Sequence, residues 1–561
     1  MSHRDYRISE LVAMIENGQL QLPEMQRQYV WTSTKVRDLL DSLYRGYPSG
    51  LILMWQTPHD SDVATREFAV AANAAKVGSA LLLLDGQQRL TSLSSVLRGE
   101  PVSVGHRKRP VDILFNLNHP DELTFITEVD EPDDADAPDE AELSVVDKAN
   151  RRAFVVASNA ILAQDNWVKV SDVFARDETE ILQSAGLTGW DDPRFKRYQA
   201  RLAQLRRIRE YVYRAEVLAP TMSYEEVTEI FVRVNSQGVK LRSSDLAMAQ
   251  ITARWRGSLD LFTSYKESVA AKGFDFDLSV YLRTMIATLT GQSRFLTVGS
   301  LTKEQLEPAW EDTKRVVDFA IDYLRSNFGI DSPTVLSSPF LVTTVAYWAH
   351  VRDLKIAPSE AAAFRQWFLV ANAKGRYSRG SSETLLDQDL AALRKDEGVG
   401  GLLARLQQQF GRLDFTPADL VGKSARSGAF KTMFILFAGH HARDWKTSLV
   451  ISPKHQNKAD KIEFHHIFPK DYLKTNRPEL SDAEINDIAN LAFIGSGTNK
   501  QVSAKAPAEY RGVYADEDFA AQLIDFDAWG DQAGDYERFI AERRAEIAAA
   551  LNEFFGLETH E

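Results

Sequence analysis

The sequence predicts a multidomain α+β protein, and three observations lead to that fold class. The chain has 561 residues, well above the roughly 100–200 residues of a single domain. Apolar residues make up 44% and charged residues 26%, which is the balance of a folded globular protein. Short apolar runs between turn residues come early in the chain, whereas helix-spaced apolar residues dominate its middle. We therefore expect an N-terminal α/β domain over 1–260, a helical middle region over 261–420 and a C-terminal domain over 421–561.

The N-terminal region shows both periodicities. Apolar residues recur at helical spacing over 8–17 and 35–44, and Ser33 or Thr34 suits the N-cap of the second helix. Three apolar runs are short and bounded by turn residues, which indicates buried strands. These runs cover residues 51–55, 81–84 and 113–117.

Later elements follow the same logic. Residues 167–174 predict a strand that enters a helix, and 195–215 predict one long amphipathic helix with an arginine-rich outer face. Residues 260–400 have helical spacing, and a helix rich in Ala and Glu is predicted over 536–555. By contrast, 128–142 contains nine acidic residues, two prolines and no basic residue. That composition is typical of a solvated, disordered insertion.

Composition excludes several classes of site. The chain contains no cysteine, which removes disulfides, cysteine nucleophiles, iron–sulfur clusters and cysteine-ligated zinc. A metal ion would need His, Asp, Glu or Asn ligands. The longest apolar run, at 433–438, is about six residues, against the roughly 20 that a membrane-spanning helix needs. The N-terminus is polar, so we expect a cytoplasmic protein without membrane contact.

The net charge of -13 is unevenly distributed. Outside 128–142, 66 basic residues face 70 acidic ones, so much of the acidity lies in that stretch. Residues 421–477 hold eleven Lys or Arg against four Asp or Glu, together with five of the eleven histidines. This local positive excess indicates an anionic partner. An incidental basic surface is the alternative.

A first chemical cluster follows the apolar run that ends at Leu84. It combines a carboxylate, a glycine, two amides and a guanidinium: Asp85, Gly86, Gln87, Gln88 and Arg89. A strand, a tight glycine turn and a helix start place these groups at a helix N-terminus, whose free N–H groups and dipole attract anions. Asp85 can bind a divalent cation or a water, and Arg89 can make a forked contact to phosphate. The structural alternative is a turn with a capped helix.

A second cluster lies inside the basic region. Residues 461–469 begin like a strand, contain the adjacent His465 and His466, and end at a proline. Successive side chains of a strand point to opposite faces, so both histidines share one site only where the backbone bends. Asn490 and Asn499 follow in the chain. Neutral imidazole can take a proton from water near neutral pH, whereas an isolated histidine pair is more often a capped surface turn.

Three separated motifs give the first half of the chain a family resemblance. They are residues 85–89, 22–31 upstream and 231–241 downstream. In this order they resemble the ParB-related N-terminal domain of the GmrSD family of modification-dependent (type IV) restriction enzymes. In that family the domain binds and hydrolyses nucleoside triphosphates. The resemblance therefore implies a nucleotide site lined by residues 85–89 together with Gln26 and Arg27.

The second cluster resembles an HNH nuclease and is most similar to the C-terminal nuclease half of the same family. The resemblance implies a ββα-metal fold, in which two strands and a helix hold one divalent ion. It implies that His466 is the general base, and that His465 and Asn499 are the metal ligands. Asn490 would hold the base or its loop through backbone hydrogen bonds. All four residues would then contribute to catalysis.

The proposed ligand set favours a hard, open metal site. One imidazole and one amide oxygen leave most positions of the ion to water and phosphate oxygens, as expected for Mg²⁺ or Mn²⁺. Lys500 and Lys505 would then contact DNA phosphates.

The expected function is anti-phage defence by a DNA endonuclease that cleaves modified double-stranded DNA. Its activity would be coupled to the binding and hydrolysis of a nucleoside triphosphate. Two alternatives stay open: a partner nuclease that senses phosphorothioate marks and nicks phage DNA, and a non-catalytic DNA-binding switch governed by nucleotide. The sequence specifies neither the DNA modification nor the preferred triphosphate. It leaves the oligomeric state open, and a homodimer is one of the alternatives.

Overall fold

The structure is a computed structural model. It describes residues 2–23, 31–57, 65–66, 81–104, 110–121, 149–187, 189–237, 243–378, 380–395, 397–455, 458 and 461–557. The chain forms two compact units, Met1–Gly257 and Ser258–Glu561. The acidic segment predicted over 128–142 lies outside the described residues, as do Gln26 and Arg27 of the predicted nucleotide site.

Unit 1, Met1–Gly257, is built around a mixed sheet. Its strands are β1 (Ser2–Arg7), β2 (Leu20–Pro23), β3 (Ile52–Gln56), β4 (Thr65–Arg66), β5 (Leu81–Asp85), β6 (Ile113–Asn116), β7 (Phe154–Val156), β8 (Trp167–Lys169) and β9 (Val212–Leu218). Six of them form a sheet of order β1-β9-β3-β5-β2-β4, and three form a small sheet of order β7-β6-β8. In the larger sheet β5 pairs antiparallel with β3 and parallel with β2.

Helices cover both faces of the larger sheet. They are α1 (Ile8–Glu16), α2 (Ser33–Tyr44), α3 (Gln87–Leu97), α4 (Asn159–Leu162), α5 (Val170–Ala175), α6 (Glu178–Ser184), α7 (Phe195–Arg206), α8 (Tyr224–Gln237) and α9 (Ser243–Arg254). The central strand β5 serves two cores, because Leu83 enters one and Leu82 and Leu84 enter the other. Burial on both faces explains why a continuous apolar run marks this strand.

Two sequence predictions in unit 1 need correction. The N-cap of α2 is Thr32, whose side chain accepts a hydrogen bond from the Lys35 backbone, rather than Ser33 or Thr34. The long helix predicted over 195–215 ends at Arg206, and its last residues belong to β9. Buried and exposed residues alternate along β9, which pairs with β1 and β3, so strand pairing determines its conformation.

Unit 2, Ser258–Glu561, is mainly helical. Its helices are α10 (Ser258–Ala271), α11 (Leu278–Thr290), α12 (Lys303–Phe328), α13 (Phe340–Val351), α14 (Pro358–Lys374), α15 (Ser382–Arg394), α16 (Gly398–Phe410), α17 (Pro417–Leu420), α18 (Gly428–Gly439), α19 (Lys470–Asn476), α20 (Asp482–Ile485), α21 (Ser496–Val502), α22 (Pro507–Tyr510), α23 (Asp516–Ala520), α24 (Phe526–Trp529) and α25 (Tyr536–Phe555). Its two strands are β10 (Ile462–His466) and β11 (Leu491–Gly495), which pair antiparallel.

Helices on either side of position 420 contact each other in unit 2. The fully buried Asn372 of α14 donates to Thr432 Oγ1 of α18 over 3.0 Å. Arg365 of α14 donates to the Phe554 carbonyl at the end of α25 over 2.9 Å. The predicted middle region and C-terminal region therefore pack as a single unit. No helix of the described residues combines the length and the apolar character needed to cross a membrane.

Candidate functional site

A strand pair and the helix that follows it frame the second cluster. In the β10–β11 pair His465 lies opposite Ala492 and His466 opposite Leu491. Helix α21 begins directly after β11, with Gly495 at its N-cap, and brings Asn499 towards β10. Residues 495–498, which precede Asn499, are therefore the end of β11 and the first turn of α21. Two antiparallel strands and a helix thus carry both histidines and Asn499.

His465 and Asn499 are in direct contact. The Asn499 side-chain oxygen Oδ1 lies 2.9 Å from His465 Nδ1. The Asn499 amide nitrogen Nδ2 donates to Glu463 Oε2 over 2.8 Å. Glu463 and His465 are two residues apart on β10, so both side chains lie on the same face of the strand. His465 is 3% exposed, and its ring meets those of Trp445 and Tyr510 edge-on.

His466 has a different partner. Its Nε2 lies 2.9 Å from Asn486 Oδ1, which accepts the ring N–H and leaves Nδ1 as the basic nitrogen. Both histidines nevertheless line one cavity of about 220 Å³, together with Pro469. The remaining lining residues are Phe464, Lys470, Asp471, Asn499, Ser503 and Ala504. The structure therefore brings three of the four predicted catalytic residues to one cavity.

Asn490 supports the backbone after the histidine pair. It is fully buried, and its Oδ1 accepts from the Phe468 backbone N–H over 2.8 Å. Its Nδ2 donates to the carbonyls of Phe468 and Ile485 over 3.0 and 2.9 Å. The side chain thus fixes the segment that leaves β10, and it contacts neither histidine in these hydrogen bonds.

Two buried charges hold this scaffold together. Asp444 accepts from the Gly495 backbone over 2.7 Å and from Thr498 Oγ1 over 2.8 Å, which fixes the junction between β11 and α21. Burial opposes its ionisation, but these hydrogen bonds and those from Thr447 hold the pKa of Asp444 below its ordinary value. Arg543 of α25 is fully buried and donates to the carbonyls of Ala489 and Leu491 over 2.6 and 2.9 Å. These carbonyls flank Asn490 in the chain.

Burial keeps both histidines neutral. It lowers the pKa of His465 to about 4, against the opposing hydrogen bond with Asn499. It also lowers the pKa of His466 below its ordinary value, and the hydrogen bond to Asn486 counteracts part of this effect. At neutral pH both imidazoles therefore have a lone pair for a metal ion or a proton.

His465 and Asn499 are the two side chains that could hold a divalent ion at this cavity. Their atoms Nδ1 and Oδ1 lie 2.9 Å apart, joined by a hydrogen bond, and both are atom types that Mn²⁺ accepts as ligands. Within the described ranges no group of three or more His, Asp or Glu side chains forms a metal cluster. A metal ion at this cavity would therefore have few protein ligands.

One lysine lines the cavity, and two others lie close to its lining residues in the sequence. Lys470 lines the cavity and lies 3.4 Å from Asp482 Oδ1. Lys500 and Lys505 are exposed, and they lie in the chain on either side of the cavity residues Ser503 and Ala504. Their positions are compatible with the predicted contacts to phosphate.

The first cluster has the predicted backbone. Strand β5 ends at Asp85, Gly86 adopts a φ of +101°, and α3 begins at Gln87. A positive φ favours glycine at this turn. The Gly86 turn therefore places Asp85 directly before the first turn of α3.

The side chains of this turn are largely engaged with the protein itself. Arg89 donates to the carbonyls of Ser49 and Leu51 over 2.8 and 2.6 Å and to Asp85 Oδ2 over 3.1 Å. Gln88 Oε1 accepts from the Trp31 backbone over 3.1 Å. Gln87 is buried, and its Oε1 has no hydrogen-bond partner among the described residues. The guanidinium of Arg89 thus fixes the loop before β3.

Sequence reasoning missed Glu463, Asn486, Asp444 and Arg543. Only Glu463 had a usable signal, because it lies two residues before His465 and alternation places both on one face. Asn486, Asp444 and Arg543 reach the site from loops and a distant helix, so only the folded chain shows their contacts.

Comparisons with known proteins agree with this organisation. Residues 8–252 match the family model of the GmrSD restriction endonuclease N-terminal domain, and 418–550 match that of the C-terminal domain. The chain is also similar to an uncharacterised protein of Methanocaldococcus jannaschii, with 23% identity over 91% of this chain and 87% of that protein. The two matched domains occur in the order predicted from the sequence motifs.

Proposed function

The chain belongs to the family of GmrSD restriction endonucleases, and on that premise we propose that it is a metal-dependent endonuclease that cleaves modified foreign DNA under the control of a nucleoside triphosphate. Restriction endonuclease domains indicate a hydrolase that acts on DNA. The HNH chemistry, the metal, the nucleotide coupling and the preference for modified DNA are the proposed refinements.

One observation supports the nuclease assignment above the others. His465, His466 and Asn499 meet at one cavity of about 220 Å³ that Lys470 also lines. Hydrolysis of a phosphodiester needs an activated water and positive charge near the phosphate. This cavity offers a neutral base and cationic neighbours within a buried polar framework.

We assign His466 as the general base. Its Nε2 proton is held by Asn486, so Nδ1 accepts the proton of the attacking water. The water oxygen forms the new P–O bond, the bond to the leaving oxygen breaks, and the leaving oxygen takes a proton from solvent. Asn490 keeps the segment after His466 in place through its hydrogen bonds with Phe468.

His465 and Asn499 would hold Mg²⁺ or Mn²⁺. Such an ion supplies Lewis-acid stabilisation of the negative charge on the phosphate. Lys470, Lys500 and Lys505 add positive charge around the cavity and would orient the DNA backbone. The positive excess of 421–477 supports the same DNA contact.

We further propose that unit 1 binds and hydrolyses the triphosphate at the β5–α3 turn. Asp85 would bind the metal or water of the nucleotide, and the α3 N-terminus would attract its phosphates. The unpartnered buried oxygen of Gln87 at this helix start supports a ligand there. Gln26 and Arg27 complete the proposed site on the basis of the family resemblance.

Digestion of a DNA panel tests this proposal. Purified full-length protein is incubated with Mg²⁺ and unmodified, hydroxymethylated, glucosylated or phosphorothioate DNA, with and without each triphosphate. We expect cleavage of a modified substrate that depends on both metal and triphosphate. Binding without cleavage of any substrate would instead support the nucleotide-switched DNA-binding protein, and nicking restricted to DNA without phosphorothioate would support the phosphorothioate-sensing nuclease.

A further inference from the structure

The side-chain amide of Asn499 lies between His465, which contacts its oxygen, and Glu463, which contacts its nitrogen. On one side Asn499 Oδ1 lies 2.9 Å from His465 Nδ1. On the other side Asn499 Nδ2 lies 2.8 Å from Glu463 Oε2. An amide rotated by 180° would exchange these two contacts, so the orientation of Asn499 decides which atom faces the metal position.

Glu463 makes only one orientation favourable. An ionised carboxylate accepts hydrogen bonds and donates none. Rotation of the Asn499 amide would place its oxygen against the carboxylate oxygens of Glu463, with no proton between them. The hydrogen bond to a charged acceptor is also the stronger of the two contacts. Its loss would leave the amide free to turn its N–H₂ towards His465.

We propose that Glu463 is a positioning residue that fixes the amide of Asn499 with Oδ1 on the His465 side and so prepares the pair to bind a divalent ion. This inference rests on the proposed nuclease function for its biological meaning. Its structural content concerns only the three side chains and holds in the metal-free protein. Glu463 itself faces Asn499 Nδ2, so it acts through that side chain and does not contribute a ligand atom of its own.

The proposal fixes the position of a proton on His465 in the metal-free protein. Because Asn499 Oδ1 can only accept, the ring proton of His465 must lie on Nδ1 in the metal-free protein, and a divalent ion bound at Nδ1 would have to displace it. The other nitrogen, Nε2, is buried with no hydrogen-bond partner among the described residues. His466 provides an internal reference, because its proton lies on Nε2 opposite Asn486. The two adjacent histidines should therefore be opposite tautomers.

The first test reads these tautomers without metal or activity. Full-length protein labelled with ¹⁵N-histidine is studied by long-range ¹H–¹⁵N correlation in chelator, with signals assigned by histidine point variants. We expect the Nδ1–H form at His465 in the wild type and its loss in Glu463→Leu, while His466 is unchanged. Glu509→Leu, a change at an exposed glutamate of α22, is the matched control. An Nε2–H form at wild-type His465, or an unchanged spectrum in Glu463→Leu, would overturn the proposal.

The second test measures the affinity for Mn²⁺ alone by calorimetry. Loss of a residue that orients a metal ligand typically weakens metal binding about 10- to 100-fold, so we expect at least about a tenfold loss in Glu463→Leu. Glu463→Gln retains an acceptor oxygen but gains an N–H₂ that can donate to a rotated Asn499 amide, so its Mn²⁺ affinity should lie between those of the wild type and Glu463→Leu. An unchanged Mn²⁺ affinity in Glu463→Leu would contradict the positioning role.

A double-mutant cycle completes this test. If Glu463 acts through Asn499, Glu463→Leu should have little further effect on Mn²⁺ affinity in an Asn499→Ala background. Additive losses would contradict the proposal. Failure of the wild type to bind Mn²⁺ would refute the metal site of the proposed function, and the histidine tautomers would then decide the role of Glu463 on their own.

Discussion

Two strand-to-helix junctions carry the polar clusters of this chain, and they differ in what their side chains contact. At the β5–α3 junction of unit 1, Arg89 donates to two backbone carbonyls and to Asp85. At the β11–α21 junction of unit 2, Asn499 faces His465 beside an open cavity. The first junction uses its charged residue to hold a loop, whereas the second places its amide beside a histidine at the wall of a cavity.

A sequence motif alone does not tell whether its residues support the fold or take part in a reaction. Both junctions place polar residues at the start of a helix, and both match a family motif. The two junctions differ in the groups that their side chains contact: Arg89 binds backbone carbonyls, and Asn499 contacts His465. A substitution at the first junction should change stability and activity together, whereas one at the second should change activity alone.

The largest effect is expected for His466→Ala. Removal of a general base lowers rates by about 10²–10⁴-fold, so DNA cleavage should fall by about a thousandfold. Nucleotide hydrolysis should stay within a few fold, and the unfolding midpoint should not change, because His466 contributes mainly one exposed hydrogen bond. His440→Ala, at an exposed histidine of the same unit, is the control. A joint loss of cleavage and nucleotide hydrolysis with the fold intact would contradict the assignment of two sites.

Arg89→Ala should lower both the triphosphate turnover and the free energy of unfolding of unit 1. Its loss leaves the carbonyls of Ser49 and Leu51 without their charged donor, at a cost of about 2 kcal/mol in the free energy of unfolding. Triphosphate turnover should also fall strongly. Asp85→Asn keeps the side-chain shape and should lower turnover with a smaller change in stability. Denaturant unfolding and a phosphate-release assay on both variants measure this, and unchanged turnover in both would place the nucleotide site elsewhere.

The pH dependence of the two activities should differ. His466 must be neutral to act as a base, and burial holds its pKa below the ordinary value of 6.5. A lowered pKa keeps the base unprotonated to more acidic pH, so the cleavage rate should be level above pH 6.5 and decline only below it, about tenfold per unit. Residues 85–89 contain no histidine, so triphosphate turnover should lack this inflection. A decline in cleavage that begins above pH 6.5 would contradict the burial of the base.

The smallest effect is expected for Asn486→Ala. The variant removes the hydrogen bond that orients the ring of His466, and one hydrogen bond of roughly 0.5–1.5 kcal/mol corresponds to a loss of about two- to tenfold in cleavage rate. Asn476→Ala is a matched control, since its amide donates only to the Tyr472 carbonyl within α19. Equal rates in the two variants would show that Asn486 has no part in orienting the base.

The spacing of apolar residues predicted the helices and strands in which buried residues recur at a single regular interval. The spacing over 536–555 predicted α25 with its observed bounds, and the run 81–84 predicted β5 and the glycine turn after it. Local spacing could not reveal where pairing with a distant strand takes over. Residues 212–215 have helical spacing with the preceding α7, yet they pair with β1 and β3.

The candidate site divides in the same way. His465, His466, Asn490 and Asn499 were identified because they match a motif in one stretch of chain. Arg543 was not, because its contacts with the carbonyls of Ala489 and Leu491 require α25 to pack against a loop about 50 residues away. Residue type and short spacing thus predict reactive groups, whereas the buried supports of those groups depend on tertiary packing.

The central claim is that His465 and Asn499 bind the metal while His466 is the base. A titration of Mg²⁺ against cleavage rate in the wild type, His465→Ala, Asn499→Ala and His466→Ala tests it most directly. His465→Ala and Asn499→Ala should each need at least about 10-fold more Mg²⁺ for half-maximal cleavage than the wild type. Both should recover activity at excess Mg²⁺. His466→Ala should stay inactive at every concentration, because no ion replaces the base. Rescue of His466→Ala by excess Mg²⁺ would show that ligand and base are exchanged, and would contradict the account.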